Sequence, residues 1–250
     1  MDNEQPVIPA DPALGASVAI YPTNRLRVLV IGTIIGAPIA VFFGLGIAPL
    51  ETWWALPVTL VGMALATLVL GWYILHLWYR EIILYRRGFS FREGSSVIFF
   101  AYDEIKWVGL QAQRLAYLGG LVRRDVYRIE VHTYAGDKMT ITNAYRRPAE
   151  LGTRITENVD RVLRPVVNKK LAAGEKVDFG AGLSLSNEGI ITETMPIAWE
   201  DFMGYTLGGG KLTLQTRSAH TVDLALGMIY NIALFIDLLK EKRAEVRPRE

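Results

Sequence analysis

The chain has 250 residues, 51% of them hydrophobic, and a formal net charge of +2. It contains no cysteine, which excludes disulfides, thiolate metal sites and a cysteine nucleophile. The small net charge conceals an uneven spread: residues 1–79 hold 2 basic against 4 acidic side chains, 80–170 hold 17 against 10, and 171–250 hold 8 against 11.

Residues 1–24 contain Pro6, Pro9, Pro12 and Pro22 and little apolar patterning, which predicts a flexible lead. From Val28 to Tyr79 the only formal charge is Glu51. The runs on its two sides, Val28–Leu50 and Thr52–Tyr79, each exceed the roughly 20 helical residues that a hydrocarbon core of about 30 Å requires. They predict a transmembrane helical hairpin over 25–79. A cleaved signal peptide is a poorer reading, because its apolar core spans only about 7–15 residues and a second run follows at once. Trp53 and Trp54 cluster at one end of the second run, and Trp72, Tyr73, Trp78 and Tyr79 at the other, as aromatic rings do at headgroup level. Arg25 and Arg27 precede the first run, Arg80, Arg86 and Arg87 follow the second, and the loop at Glu51 carries no cation. The positive-inside rule therefore predicts a two-span protein of the cell membrane with both termini in the cytoplasm. Pro38 predicts a kink in the first helix. Gly32, Gly36, Ala40 and Gly44 recur every four residues as a helix-packing stripe, open to the second helix of the hairpin or to another copy.

After Tyr79 the hydrophobic period changes. Glu81–Tyr85, Phe89–Phe91, Val97–Tyr102, Ile105–Gln111, Tyr127–Thr133 and Lys138–Thr142 are short, β-branched and aromatic runs with turn signals between several of them. Pro148 then opens a helical stripe of Leu151, Ile155, Val159 and Val162. An exposed break is expected over Asn168–Glu175. Beyond it the order recurs. Leu84-Tyr85-Arg86-Arg87-Gly88-Phe89 is echoed by Leu185-Ser186-Asn187-Glu188-Gly189-Ile190, and Tyr102-Asp103-Glu104-Ile105 by Trp199-Glu200-Asp201-Phe202. Strands are predicted over Met203–Leu207, Lys211–Thr216 and Thr221–Leu224, then a helix with Leu226, Ile229, Ala233, Ile236 and Leu239 on its apolar face. The offset of about 100 residues suits two related α+β domains, 80–168 and 175–245, rather than a solenoid. In the aromatic–acid–acid–apolar element the aromatic ends an inward strand, the acids occupy the turn, and the apolar residue re-enters the core.

A curved antiparallel sheet closed by one C-terminal helix resembles the pleckstrin-homology-like (PH-like) barrel. The stretch Ala173-Gly174-Glu175-Lys176-Val177-Asp178-Phe179-Gly180, with Leu185–Ile190 and Trp199-Glu200-Asp201, resembles an uncharacterised prokaryotic family of membrane-anchored proteins. In that family tandem PH-like domains follow a two-helix hairpin. The resemblance covers about residues 80–245. It implies a binding role, since PH-like domains elsewhere bind phosphoinositides, peptides or proteins, and it implies no catalytic residues.

The residues themselves point the same way. His76, His132 and His220 stand far apart, without metal-ligand spacing. Gly208-Gly209-Gly210-Lys211 lacks the first glycine and the Ser/Thr of a phosphate loop and reads as a hairpin turn. No catalytic, cofactor or metal site is expected. The basic side chains Arg80, Arg86, Arg87, Arg92, Arg123 and Arg124 are the candidates for lipid-headgroup contact, each contributing about 1 kcal/mol near an anionic leaflet. A positive-inside flank explains Arg80–Arg87 equally well. The excess of seven positive charges over residues 80–170 is too modest to suggest nucleic acid. The expected function is a non-enzymatic, membrane-anchored binding or scaffold protein whose partners are the bilayer and a protein or further copies of itself. Alternatives are an anionic-lipid-sensing or envelope-stress regulatory module and, more remotely, an enzyme with an unrecognised carboxylate site.

Overall fold

The computed structural model describes the backbone of residues 13–47, 52–94, 96–117 and 122–246, and their side chains apart from residues 46, 112–126 and 246. Contacts divide the chain into two compact units, 1–100 with 144–146, and 101–143 with 147–250.

The first unit joins a helical hairpin to a sheet. Its elements are β1 (Ser17–Pro22), α1 (Arg25–Val41), a π-helical turn (Phe42–Ile47), α2 (Ala55–Trp78), β2 (Glu81–Tyr85), β3 (Gly88–Glu93) and β4 (Ser96–Ala101). The strands lie in the order β1-β2-β3-β4, with β2 antiparallel to both neighbours. Ile82, Ile83, Leu84 and Tyr85 are all buried, as befits a central strand covered on both faces. The flexible lead expected over 1–24 does not hold for Ser17–Pro22, which form an edge strand of this sheet; residues 1–12 lie outside the described residues. Local patterning could not reveal β1, since its partner β2 begins only after the whole hairpin.

The hairpin is thus an insertion between two paired strands, and its ends meet. The backbone N–H and Oγ1 of Thr23 both donate to the Arg80 carbonyl, at 3.0 and 2.7 Å. The Asn24 side chain caps α1 by accepting from the Arg27 N–H. The Arg25 guanidinium lies 5.3 Å from the Trp78 ring centre. Both helices are long and apolar enough to cross a membrane, with mean hydropathies of 2.4 and 2.1. Only 11% and 0% of their most apolar stretches is buried, unlike the core helices of a soluble protein.

The helix-packing stripe divides between two environments. A Cβ on Gly32 would stand 2.8 Å from Ile74 Cδ1, and one on Gly36 would stand 2.9 Å from Leu70 Cδ2, so these two glycines admit α2. Ala40 and Gly44 are exposed. Pro38 lies within α1, and the π-turn follows at Phe42. That wider turn rotates the helix face, so Phe43 rather than Gly44 meets α2, against Gly62. The loop around Glu51 falls outside the described residues.

The second unit holds β5 (Ile105–Tyr117), β6 (Val122–Thr133), β7 (Lys138–Thr142) and α3 (Pro148–Ala172). Four short strands follow, β8 (Val177–Asp178), β9 (Ser184–Leu185), β10 (Gly189–Ile191) and β11 (Pro196–Ala198). The chain ends with β12 (Phe202–Gly208), β13 (Lys211–Thr216), β14 (Thr221–Ala225) and α4 (Ile232–Val246). The sheets β5-β6-β7, β8-β9-β10-β11 and β12-β13-β14 are antiparallel meanders, and none of the described sheets closes. This is an α+β architecture with two apolar N-terminal helices.

The two halves of the chain run through one order: four strands, three strands, a helix. Matching details recur at matching places. Tyr102 and Trp199 are buried, the acids after them are exposed, and Ile105 and Phe202 re-enter the core. A bulge follows at once in each case, between Ile105 and Trp107 and between Phe202 and Gly204. The next turns also match, since buried Thr133 and Thr216 donate their backbone N–H to the Asp137 and His220 carbonyls.

Two boundaries differ from expectation. Helix α3 runs to Ala172 and absorbs most of the break expected at Asn168–Glu175, because its buried stripe continues through Leu163, Val167 and Leu171 rather than Val162. Leu226–Met228 form a 3-10 turn, so α4 starts only at Ile232. Gly209 and Gly210, with φ of +57° and +76°, form the two-residue turn between β12 and β13.

Candidate binding site

In the first unit the arginines expected to meet lipid fall into two groups. Arg80 and Arg92 stand near the C-terminal end of α2, and both have acidic partners. Arg80 forms an ion pair with Glu93, and Arg92 Nη1 lies 3.6 Å from Glu81 Oε1. Arg92 also donates to the Gly94 carbonyl and lies 5.7 Å from the Tyr79 ring centre. Glu93 further faces His76 of α2 at 3.8 Å. These contacts fasten the sheet to the helix. Arg86 and Arg87 are exposed in the β2–β3 turn, at the opposite end of the hairpin from α2, and no ion pair is seen for either among the described residues. The side chains of Arg123 and Arg124 lie outside the described residues.

The second unit contains a cleft of about 320 Å³ that sequence reasoning missed. Its floor is Leu163 and Val167 of α3, Phe179, and Leu234 of α4, all buried. One wall is aromatic: Trp107 stacks on Tyr230 at 3.8 Å between ring centres and on His132 at 3.6 Å. Burial holds the His132 pKa below its ordinary value, helped by Lys138 and Lys106 and opposed by Glu130. The stack is therefore uncharged at neutral pH.

The wall is held in place by backbone bonding. Asn231, buried and in the left-handed region at φ +47°, donates its N–H to the Val108 carbonyl at 2.9 Å. Its Oδ1 accepts from the Val108 N–H at 2.8 Å. Tyr230 N–H donates to the Phe179 carbonyl at 2.7 Å. Asn tolerates this conformation better than most residues, which accounts for its place at the entry to α4.

Three lysines form the rim: Lys106 on the β5 bulge, Lys170 in the last turn of α3, and Lys176 just before β8. All are exposed, and among the described residues none has a carboxylate oxygen within ion-pair distance. Asp178 is the one acid on the rim, and its Oδ1 accepts from the Gly180 N–H. The α3 carbonyls nearest Lys170 are already bonded by the N–H groups of Ala173, Gly174 and Glu175. Of this lining, the sequence marks Lys176, Val177, Asp178 and Phe179 within the stretch Ala173–Gly180, and Lys170 only as part of an exposed break. Nothing in the sequence links Lys106 to Lys170, about 60 positions apart, because they meet only through the fold.

A third cluster joins α3 to α4. Arg164 pairs with Asp237 at 2.8 Å and with Glu241. The Asp160 carboxyl is pushed up to about 7 by burial and by Asp237, partly offset by Arg164 and the nearby Leu234 backbone. No group of three or more His, Asp or Glu side chains able to hold a metal ion occurs among the described residues.

No curated protein matches the sequence. A family model described as a family of unknown function (DUF6585) matches residues 3–248, nearly the whole chain, and the protein belongs to that family.

Proposed function

We propose that this is a non-enzymatic, membrane-anchored binding protein. The α1–α2 hairpin crosses the cell membrane, both termini lie in the cytoplasm, and two PH-like repeats present their surfaces to a protein partner or to further copies. The observation that carries this reading is the insertion of the exposed apolar hairpin between β1 and β2, closed by the bonds from Thr23 to the Arg80 carbonyl. An anchor joined to a sheet through two adjacent strands holds that sheet at the bilayer without a flexible linker. The first unit's sheet then lies at the cytoplasmic face of the bilayer. A reporter fused after Glu250 is expected to be active only in the cytoplasm, and the protein is expected to remain in the membrane after an alkaline wash. Release by the wash, or a reporter active only outside, overturns the proposal.

A lipid-sensing role is the second reading, favoured by exposed Arg86 and Arg87. It predicts that anionic lipid slows amide exchange in the β2–β3 turn of the reconstituted full chain, and that salt abolishes the effect. Equal exchange in zwitterionic and anionic bilayers removes this reading.

A further inference from the structure

We propose that the cleft beside Trp107 binds a single-chain amphipathic anion, one apolar chain or ring carrying one carboxylate or phosphate head. The proposal rests on the binding-protein reading above and names the class of ligand at this one site.

Each feature of the cleft restricts the occupant. Leu163, Val167, Phe179 and Leu234 offer an apolar floor that a bare inorganic anion would leave wet. Three lysines against one aspartate make a rim that an alcohol or hydrocarbon would leave without a counter-ion. The lysines come from three separate elements and converge on one opening, so an anionic head seated there reaches several ammonium groups at once. Asp178 already accepts from Gly180 N–H, which holds its carboxylate in the local turn. The stack of Tyr230, Trp107 and His132 makes a rigid wall, and the Asn231–Val108 bonds fix the entry to α4 behind it. A volume of about 320 Å³ lies at the small end for ligand pockets and suits one chain or ring, not the body of a two-chain lipid.

The test is lysine footprinting by acetylation and mass spectrometry on the full chain in zwitterionic nanodiscs. The probes are octanoate and octyl phosphate, with octanol as body alone and acetate as head alone. A ligand of octanoate's size binds at about millimolar affinity, so the probes are used at several millimolar. Octanoate, octyl phosphate or both are expected to slow labelling of Lys106, Lys170 and Lys176 by about threefold, leaving exposed Lys138 and Lys240 unchanged. Comparing the two probes identifies which head the rim prefers. The double variant Lys106→Glu, Lys176→Glu alters only exposed side chains and is expected to abolish the protection at Lys170.

Equal protection by octanol or acetate overturns the proposal, as does no protection by either amphiphile. Protection by an acidic peptide but by neither amphiphile also overturns it and assigns the cleft to a protein segment. Retention of the chain in the discs is scored separately, so failure of the anchor and failure of the cleft are distinguishable.

Discussion

The halves β1–α3 and β8–α4 share one order of elements but differ in how the first two strands are joined. Between β1 and β2 lie the 58 residues Thr23–Arg80, whereas between β8 and β9 lie the five residues Phe179–Leu183. A connection can lengthen this much because loop closure costs only about 0.6 kcal/mol per doubling of length. The inserted helices also bring their own ends together at Thr23 and Arg80, so the strands still meet in register. The halves differ in charge as well, the first basic and the second acidic by sequence count. A common strand order therefore accommodates an apolar helical hairpin between the first two strands of one half and a five-residue loop at the same place in the other.

The largest test of this comparison is Gly189→Ala, in the tight four-strand element that has no insertion. A Cβ there would lie 2.1 Å from the Ile197 carbonyl oxygen, a backbone atom in the paired strand β11. The expected loss is about 2–4 kcal/mol, read by thermal unfolding of the second unit while membrane retention is unchanged. Retained stability would show that β10 and β11 are not tightly paired.

Asn231→Ala strips the Val108 N–H of its acceptor and puts alanine at φ +47°. It is expected to cost about 1–3 kcal/mol and to loosen the Trp107–Tyr230 stack, seen as a change in near-ultraviolet circular dichroism.

Asp160→Asn separates electrostatics from packing. The folded-state pKa of about 7 lies above the ordinary 3.8, so this group's stabilising contribution is full below pH 3.8 and is lost as pH rises to about 7. The asparagine variant is expected to gain about 1–2 kcal/mol over the parent above pH 7, with no gain near pH 4. A gain independent of pH would assign the effect to packing.

Thr23→Val is the smallest. The Arg80 carbonyl keeps its bond from the Thr23 N–H and loses only the hydroxyl, so a cost of about 1 kcal/mol is expected. If the closure at the base of the hairpin matters, amide exchange should quicken in β1 and β2 and not in β9 and β10.

Much of the molecule was legible from residue order. The predicted strands at Glu81–Tyr85, Lys138–Thr142 and Lys211–Thr216 are found with those bounds. The predicted hairpin over 25–79 contains α1 and α2, and the repeated aromatic–acid–acid–apolar element folds the same way twice. The strands of two and three residues between Val177 and Ala198 were not legible, being shorter than any periodicity can register. The cleft was hidden for a related reason: Lys106, Lys170 and Lys176 each read as ordinary surface charges until three elements brought them to one rim.

Local composition alone determined the two apolar helices, the period-two strands and the amphipathic α3, because hydrophobic spacing acts over one turn or one pleat. Only the tertiary structure decided that β1 precedes the hairpin yet pairs after it, and that Phe43 rather than Gly44 faces α2. It alone also gathered three lysines over an apolar floor. Those outcomes depend on contacts between residues tens of positions apart, which no local pattern encodes.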